Sequence, residues 1–220
     1  MLISEALELF IMDHESEGFS ERTIKVYRQY ISYFIDFVTD KDLKDVGLQN
    51  VLDYQRYLLN REAKGNKFNK NKTGKKLSRY TIKSYVTHVK ALFNWCFKEK
   101  LVREKIFDGH KMVKTPKLIK EIMEEEEIEL ILFDFGESQL QLRNKCIFLL
   151  MVDSGLRIQD VINLSVDDFI FTSNMLKICE GKGLKDRFVP ISLETKKSMY
   201  RYLNFYRPSP DNNNIKNFFL

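Results

Sequence analysis

The sequence predicts a mainly α chain in two parts: a helical N-terminal part, then a mixed α+β part with a small antiparallel sheet or hairpin. Three observations predict it. Before residue 100, apolar residues recur every three or four positions in four successive stretches, the period of a helix with one buried face. Further on, the short strand-like runs Met175–Glu180 and Phe188–Ile191 flank a turn bounded by Gly181 and Gly183, which is a hairpin signal. Between these regions, residues 108–122 show no sustained apolar period and many lysines. They place the division at residues 1–107, a linker 108–122 and residues 123–220.

The first helix spans about 3–17, with Leu7, Phe10 and Ile11 at helical spacing and Gly18 as its stop. Ser20 is the N-cap of a second helix whose apolar face is Tyr27, Tyr30, Ile31, Phe34, Phe37 and Val38. Leu48, Val51, Leu52 and Leu58 predict a third, continuing to about Lys64. A basic loop, Gly65 to Lys76, follows; it is too rich in Gly and Asn for a helix. Ser78 caps a fourth helix with Ile82, Tyr85, Val86, Val89, Leu92, Phe93 and Cys96 on one face. Both capped helices open with Ser-x-x-Thr-Ile-Lys-x-Tyr, at Ser20 and at Ser78, a resemblance too short to establish a repeat. In the second part, Glu124–Glu127 reads as the acidic first turn of a helix. The stretch Leu140–Asp153 is apolar nearly all round and predicts a central buried helix, and a last helix covers about Ser192 to Tyr206.

Charge is unevenly distributed. Residues 1–50 carry 5 Lys/Arg against 10 Asp/Glu, residues 51–122 carry 19 against 6, and residues 123–220 carry 12 against 15. The middle block therefore holds the positive charge, the distribution of a nucleic-acid-binding face and equally of a solvated lysine-rich loop. Lys75, Lys76, Arg79, Lys83 and Lys90 are its candidate contacts, with Lys83 and Lys90 two turns apart on one side of the fourth helix. Cys96, Cys146 and Cys179, odd in number and far apart, read as buried thiols in a reducing compartment, not as a disulfide framework or zinc ligands. No apolar run approaches the roughly 18 residues that span a bilayer, and the N-terminus lacks a signal-peptide pattern. The expected location is the cytoplasm, with no membrane contact and no metal.

The residues suited to chemistry lie between Ser154 and Pro190. Gly155 supplies a left-handed helix stop, and the next helix starts at once, leaving Arg157 at its N-terminus among free N–H groups that attract an anion. Asp160, three residues on, is placed to orient Arg157, or to form an ordinary surface pair with it. Lys182 follows 25 residues after Arg157, in the hairpin turn with Lys185 and Arg187.

Gly-Leu-Arg-Ile-x-Asp from Gly155, Leu164-x-x-x-Asp168, then Gly-Lys-Gly-x-Lys-x-Arg-x-x-Pro-Ile from Gly181 together resemble the tyrosine recombinase, or phage integrase, family. The N-terminal part, with its Ser-x-x-Thr-Ile openings and Ala91-Leu92-Phe93-Asn94-Trp95, resembles that family's helical core-binding, SAM-like domain. The remainder resembles the first half of its mixed α+β catalytic domain. The resemblance implies a site-specific recombinase that integrates or recombines double-stranded DNA, with no cofactor and with copies assembling on the DNA. A tyrosine attacks a DNA phosphate there to form a 3′-phosphotyrosyl link. By the same resemblance, Arg157 holds non-bridging phosphate oxygens, Lys182 protonates the departing 5′-oxygen and Asp160 supports the arginine; Lys185 and Arg187 add DNA contacts.

One departure from the family matters. A later His-x-x-Arg, a further His or Trp and the tyrosine nucleophile are expected after the hairpin. His14, His88 and His110 all precede Arg157, and Tyr200, Tyr202 and Tyr206 follow the hairpin too closely. The chain ends at Asn217-Phe218-Phe219-Leu220, where the family continues, so the sequence reads as C-terminally truncated and inactive by itself. The alternative is a non-catalytic DNA-binding remnant or competitor at recombination sites.

Overall fold

Helix α1 (Ile3–Ser16) buries Ile3, Ala6, Leu7, Phe10 and Ile11, the spacing that puts five apolar side chains on one stripe. Its first turn is capped from a distance. Asp40 accepts the Ser4 N–H at 3.0 Å and the Ser4 hydroxyl at 2.7 Å, an anion where the helix exposes unpaired donors. Helix α2 (Glu21–Val38) follows the Ser20 cap, and a left-handed Thr39 (φ 61°) ends it, its N–H returning to the Ile35 carbonyl. Helices α3 (Leu48–Asn60) and α4 (Arg79–Lys98) complete a four-helix unit, with Ser78 capping α4 through the Thr81 N–H at 3.1 Å. Ser20 caps α2 in the same way through Thr23.

The computed structural model describes residues 1–63, 74–117, 121–170, 172–181, 185–212 and 215–220, which fall into two units, Met1–Ile119 and Lys120–Leu220. In the first unit Phe34, Tyr54, Leu58, Leu92 and Phe93 meet in one core, each almost fully buried. Burial of each such side chain contributes about 1.5–3 kcal/mol, so this core outweighs exposed ion pairs such as Arg28–Glu8, worth at most about 1 kcal/mol. The Trp95 indole N–H donates to Asp13 at 2.7 Å and fixes α4 against α1.

Helix α3 is shorter than its pattern predicts. It stops at Asn60 because Arg61 turns extended and residues 61–63 pair with 75–77: Ala63 N–H to the Lys75 carbonyl at 2.7 Å, and Leu77 N–H to the Arg61 carbonyl at 3.1 Å. Most of the expected basic loop, residues 65–73, lies outside the described residues, as does Lys64, the expected end of α3. Past α4, Phe107 is buried, Met112 and Val113 pack on the first core, and the Tyr80 hydroxyl donates to the Pro116 carbonyl. The stretch after residue 107 thus returns along α4.

The second unit contains α5 (Glu125–Asp134), α6 (Gln139–Ser154), α7 (Ile158–Asn163) and α8 (Leu193–Arg201), which continues as a π turn over Tyr202–Tyr206. Its sheet is antiparallel in the order β1 (Phe169–Ile170), β2 (Met175–Gly181) and β3 (Lys185–Pro190). The two-residue β1 is too short to leave a period in the sequence. Helix α6 departs from expectation: Leu142, Cys146, Leu149 and Leu150 are buried, whereas Leu140, Met151 and Val152 are exposed. Apolar residues all round a helix mark it as buried only where neighbours cover every face, and here the second core covers one. Cys179 is also exposed, contrary to expectation, while Cys96 and Cys146 are buried. Side chains alternate along β2: Leu176 and Ile178 face the core, and Cys179 faces away with Lys177. Burial pushes the Cys96 thiol up to about 12 and that of Cys146 to about 11, so both stay protonated.

Residues 215–220 are built into this unit. Val166 N–H donates to the Lys216 carbonyl at 2.9 Å and Phe218 N–H to the Leu164 carbonyl at 2.7 Å, an antiparallel bridge at Ser165 and Asn217. Phe218 is fully buried against Phe169 and Tyr202, and Arg207 holds the Asn217 and Phe218 carbonyls. Truncating a buried phenylalanine costs about 3–5 kcal/mol. Phe218→Ala is therefore expected to destabilise the chain by that amount in urea unfolding followed by circular dichroism, and Phe219→Ala, half-buried, by clearly less.

Candidate nucleic-acid interface

The five candidate contacts of the basic block lie just before the start of α4 and along one side of it. Lys75 and Lys76 stand just before the Ser78 cap, and Arg79 and Lys83 lie on the first two turns; all four are exposed. Lys90 is half-buried. The His110 ring, both nitrogens buried without a hydrogen bond, has its basicity lowered by burial and then by the Lys90 charge. Among the described residues no carboxylate forms an ion pair with Lys75, Lys76, Arg79, Lys83 or Lys90. One carboxylate lies close by along the backbone: Glu62, exposed, stands opposite Lys76 in an isolated antiparallel bridge.

In the second unit the turn between α6 and α7 is set by Gly155, whose φ of 61° is free for glycine and strained for other residues. Arg157 follows as the N-cap of α7. Its backbone N–H donates to Asp160 Oδ2 at 3.1 Å, and the residue is exposed. The same carboxylate oxygen accepts Arg187 Nη2 at 2.7 Å. Arg187 sits opposite Ile178 in the β2–β3 register, which aims its side chain at the face where α7 packs. Asp160 therefore joins the α7 N-terminus to the hairpin. Two more bonds tie the end of α6 to the end of β3 and to the residue that caps α8: the Ser154 hydroxyl to the Pro190 carbonyl at 3.2 Å, and the Ser192 N–H to Asp153 at 2.6 Å.

Sequence reasoning places Arg157 and Asp160 together, and they are together. It misses that the side-chain partner of Asp160 is Arg187, an arginine read there as a DNA contact. Only the sheet register reveals that pairing, since 27 residues separate the two. Lys182 lies outside the described residues. Lys185 opens β3 opposite Gly181, with nothing of its side chain described. On the outer sheet face, Lys177 pairs with Asp186 at 3.4 Å.

Asp160 is 8% exposed and Arg187 33%. Burial pushes the Asp160 carboxyl up, but the hydrogen bond from Arg187 and that from the Arg157 amide outweigh it and hold it below its ordinary value. A carboxyl depressed in the folded state stabilises the fold above its unfolded value, near pH 4, and loses that contribution as pH falls through the folded value. Asp160→Asn is expected to cost about 2 kcal/mol at neutral pH. In urea titrations against wild type, that difference should shrink as pH falls below about 4.

Residues 4–113 match the phage integrase SAM-like domain, and residues 121–214 match the phage integrase family. The chain is 30% identical over 190 residues to tyrosine recombinase XerA of Pyrococcus furiosus, covering 86% of this chain and 57% of that protein. It is 26% identical over 189 residues to a tyrosine recombinase of Thermosipho africanus, covering 86% and 63%. Its fold is similar to that of the Tn1549 transposon integrase in complex with transposon right end DNA, with a TM-score of 0.72 at 14% identity over 96% of this chain and 67% of that one. A lambda integrase dimer bound to a core site gives a TM-score of 0.67 at 15% identity, over 91% and 69%. The chain spans about three-fifths of the length of these curated relatives. With both of its units matched, one to each part of the same family, this chain belongs to the phage integrase family of tyrosine recombinases.

Proposed function

We propose that this chain is the DNA-holding part of a site-specific tyrosine recombinase, binding double-stranded DNA through Lys75, Lys76, Arg79, Lys83 and Lys90 and gripping the reactive phosphate with Arg157 and Lys182. The observation that carries this reading is the Asp160 node. One nearly buried carboxylate uses Arg187 and the Arg157 amide, and leaves Arg157 exposed at the start of α7. A cation whose backbone is held before substrate arrives needs less reorganisation to meet the charge that builds on the phosphate oxygens in the transition state. Arg157 binds non-bridging oxygens there, Lys182 gives its proton to the departing 5′-oxygen, and Asp160 positions Arg157 through its backbone. Lys185 at the hairpin base adds phosphate contact. The solved relatives bound to DNA, one of them as a dimer, support a DNA substrate and assembly of copies upon it.

A second reading, that these 220 residues bind DNA without cutting it, is favoured by the tyrosines. Tyr202 is fully buried with its hydroxyl accepting the Leu220 N–H at 3.4 Å, and the Tyr206 hydroxyl accepts from Arg201. A nucleophile needs an approach to the phosphate that Tyr202 lacks. The three histidines all lie in the first unit.

Two measurements test these readings. If about six phosphates are contacted, log K for duplex DNA should fall with a slope near −5 against log salt, and Arg157→Ala should make that slope shallower by about 0.9; a flat response for the wild-type chain defeats DNA binding. With a nicked suicide duplex, no covalent protein–DNA adduct is expected; a phosphotyrosyl adduct would defeat the non-cutting reading and redirect attention to Tyr200, Tyr202 and Tyr206.

A further inference from the structure

We propose that Arg61 is a preset contact for a DNA phosphate in the first unit, an assignment that rests on the DNA-binding reading above. Arg61 ends α3 in an extended conformation (φ −73°, ψ 135°). Its carbonyl accepts the Leu77 N–H, and the bridge between Glu62 and Lys76 follows at once. The backbone on which it stands is therefore pinned next to Lys75 and Lys76, two exposed cations without ion-pair partners among the described residues.

Its side chain is held by rings. The guanidinium carbon lies 5.3 Å from the Tyr33 ring centre and 5.9 Å from that of Tyr57, so tyrosines of α2 and α3 both carry the cation. The rings are fixed in turn. Tyr57 stacks on Phe37 at 5.0 Å, and Tyr33 packs on Tyr85 of α4 at 5.5 Å. A guanidinium placed this way loses little freedom when it binds, which is the advantage of preorganisation.

What the rings do not supply is a hydrogen-bond acceptor. Among the described residues no carboxylate pairs with Arg61, and no oxygen takes its side-chain N–H groups. An arginine serving only the fold at this place has two obvious partners. One is the last turn of α3, where the Leu58 carbonyl takes the Arg61 backbone N–H and Asn60 bonds the Arg56 carbonyl. The other is Asp53, which is taken by Arg56 at 3.1 Å and Gln49 at 2.9 Å. The Arg61 side chain uses neither. It borders a cleft of about 350 Å³, open to solvent, with Phe37, Asp53, Arg56, Tyr57 and Asn60. A planar donor fork, resting on two rings and left without an acceptor among the described residues, lies inside the most basic third of the chain. It matches a backbone phosphate in charge and geometry.

The test compares the wild-type chain with Arg61→Ala and Arg61→Lys on two duplexes of about 30 base pairs and unrelated sequence, across a salt series, with thermal unfolding measured alongside. Arg61→Ala is expected to weaken both duplexes equally, about tenfold near 0.15 M salt, and to make the salt slope shallower by about 0.9. Arg61→Lys is expected to keep the slope but remain several-fold weaker, since an ammonium has the charge without the planar fork. Affinity unchanged in both variants overturns the assignment, and so does a loss confined to one duplex. A lowered unfolding temperature with full affinity overturns it too, giving Arg61 a structural role. Each of those results leaves the wider DNA-binding reading intact. A wild-type chain that binds neither duplex defeats that wider reading, and this assignment with it.

Discussion

In the second unit, the link between α7 and the hairpin depends on one carboxylate. Asp160 receives the Arg157 amide and the Arg187 guanidinium on a single oxygen, at 3.1 and 2.7 Å, and so binds the start of α7 to the third strand. Two ties run beside this link, Ser154 to Pro190 and Asp153 to Ser192, which join the end of α6 to the end of the same strand and to the cap of α8. Taking a carboxylate out of water is costly, and two donors on one oxygen offset that cost. The result is an exposed Arg157 whose backbone cannot drift relative to the hairpin.

The first unit solves a different problem. It must hold a dense positive charge, which repels itself, on a fold small enough to feel the repulsion. Its answer is an apolar core drawn from all four helices, reinforced by specific polar ties at the helix ends: Asp40 on the start of α1, Ser20 and Ser78 on α2 and α4, and Asp13 on Trp95. Aromatic rings extend that answer to the surface, where Tyr33 and Tyr57 carry the Arg61 cation without neutralising it. The acid of the chain lies largely in residues 1–50 and 123–220, and among the described residues none of it forms an ion pair with Lys75, Lys76, Arg79, Lys83 or Lys90.

Periodic and capped elements are legible in the amino-acid sequence. The Ser-x-x-Thr caps, the α4 stripe from Ile82 to Cys96, the left-handed Gly155 and the pairing of β2 with β3 all follow from local chemistry that a few neighbouring residues complete. Elements set by distant partners are not legible there. The α3 end depends on pairing between residues 61–63 and 75–77, β1 is two residues long, and the exposure of Met151 and Val152 depends on which faces of α6 have neighbours. Cys179 is misjudged because a strand's two faces look alike in sequence when both contain apolar residues; only the register tells which one meets the core.

By itself, then, the sequence determined the division into helical and mixed parts, the concentration of positive charge in residues 51–122, and the order of motifs around Arg157 and Lys182. Those properties belong to residues close together along the chain. Tertiary structure alone decided that Asp160 takes Arg187 across 27 residues, that Phe218 fills the second core beside Tyr202, and that Arg61 rests against two tyrosines. Each of these is a contact between segments whose sequence patterns carry no information about one another, and packing and hydrogen-bond satisfaction select it only once the chain has folded.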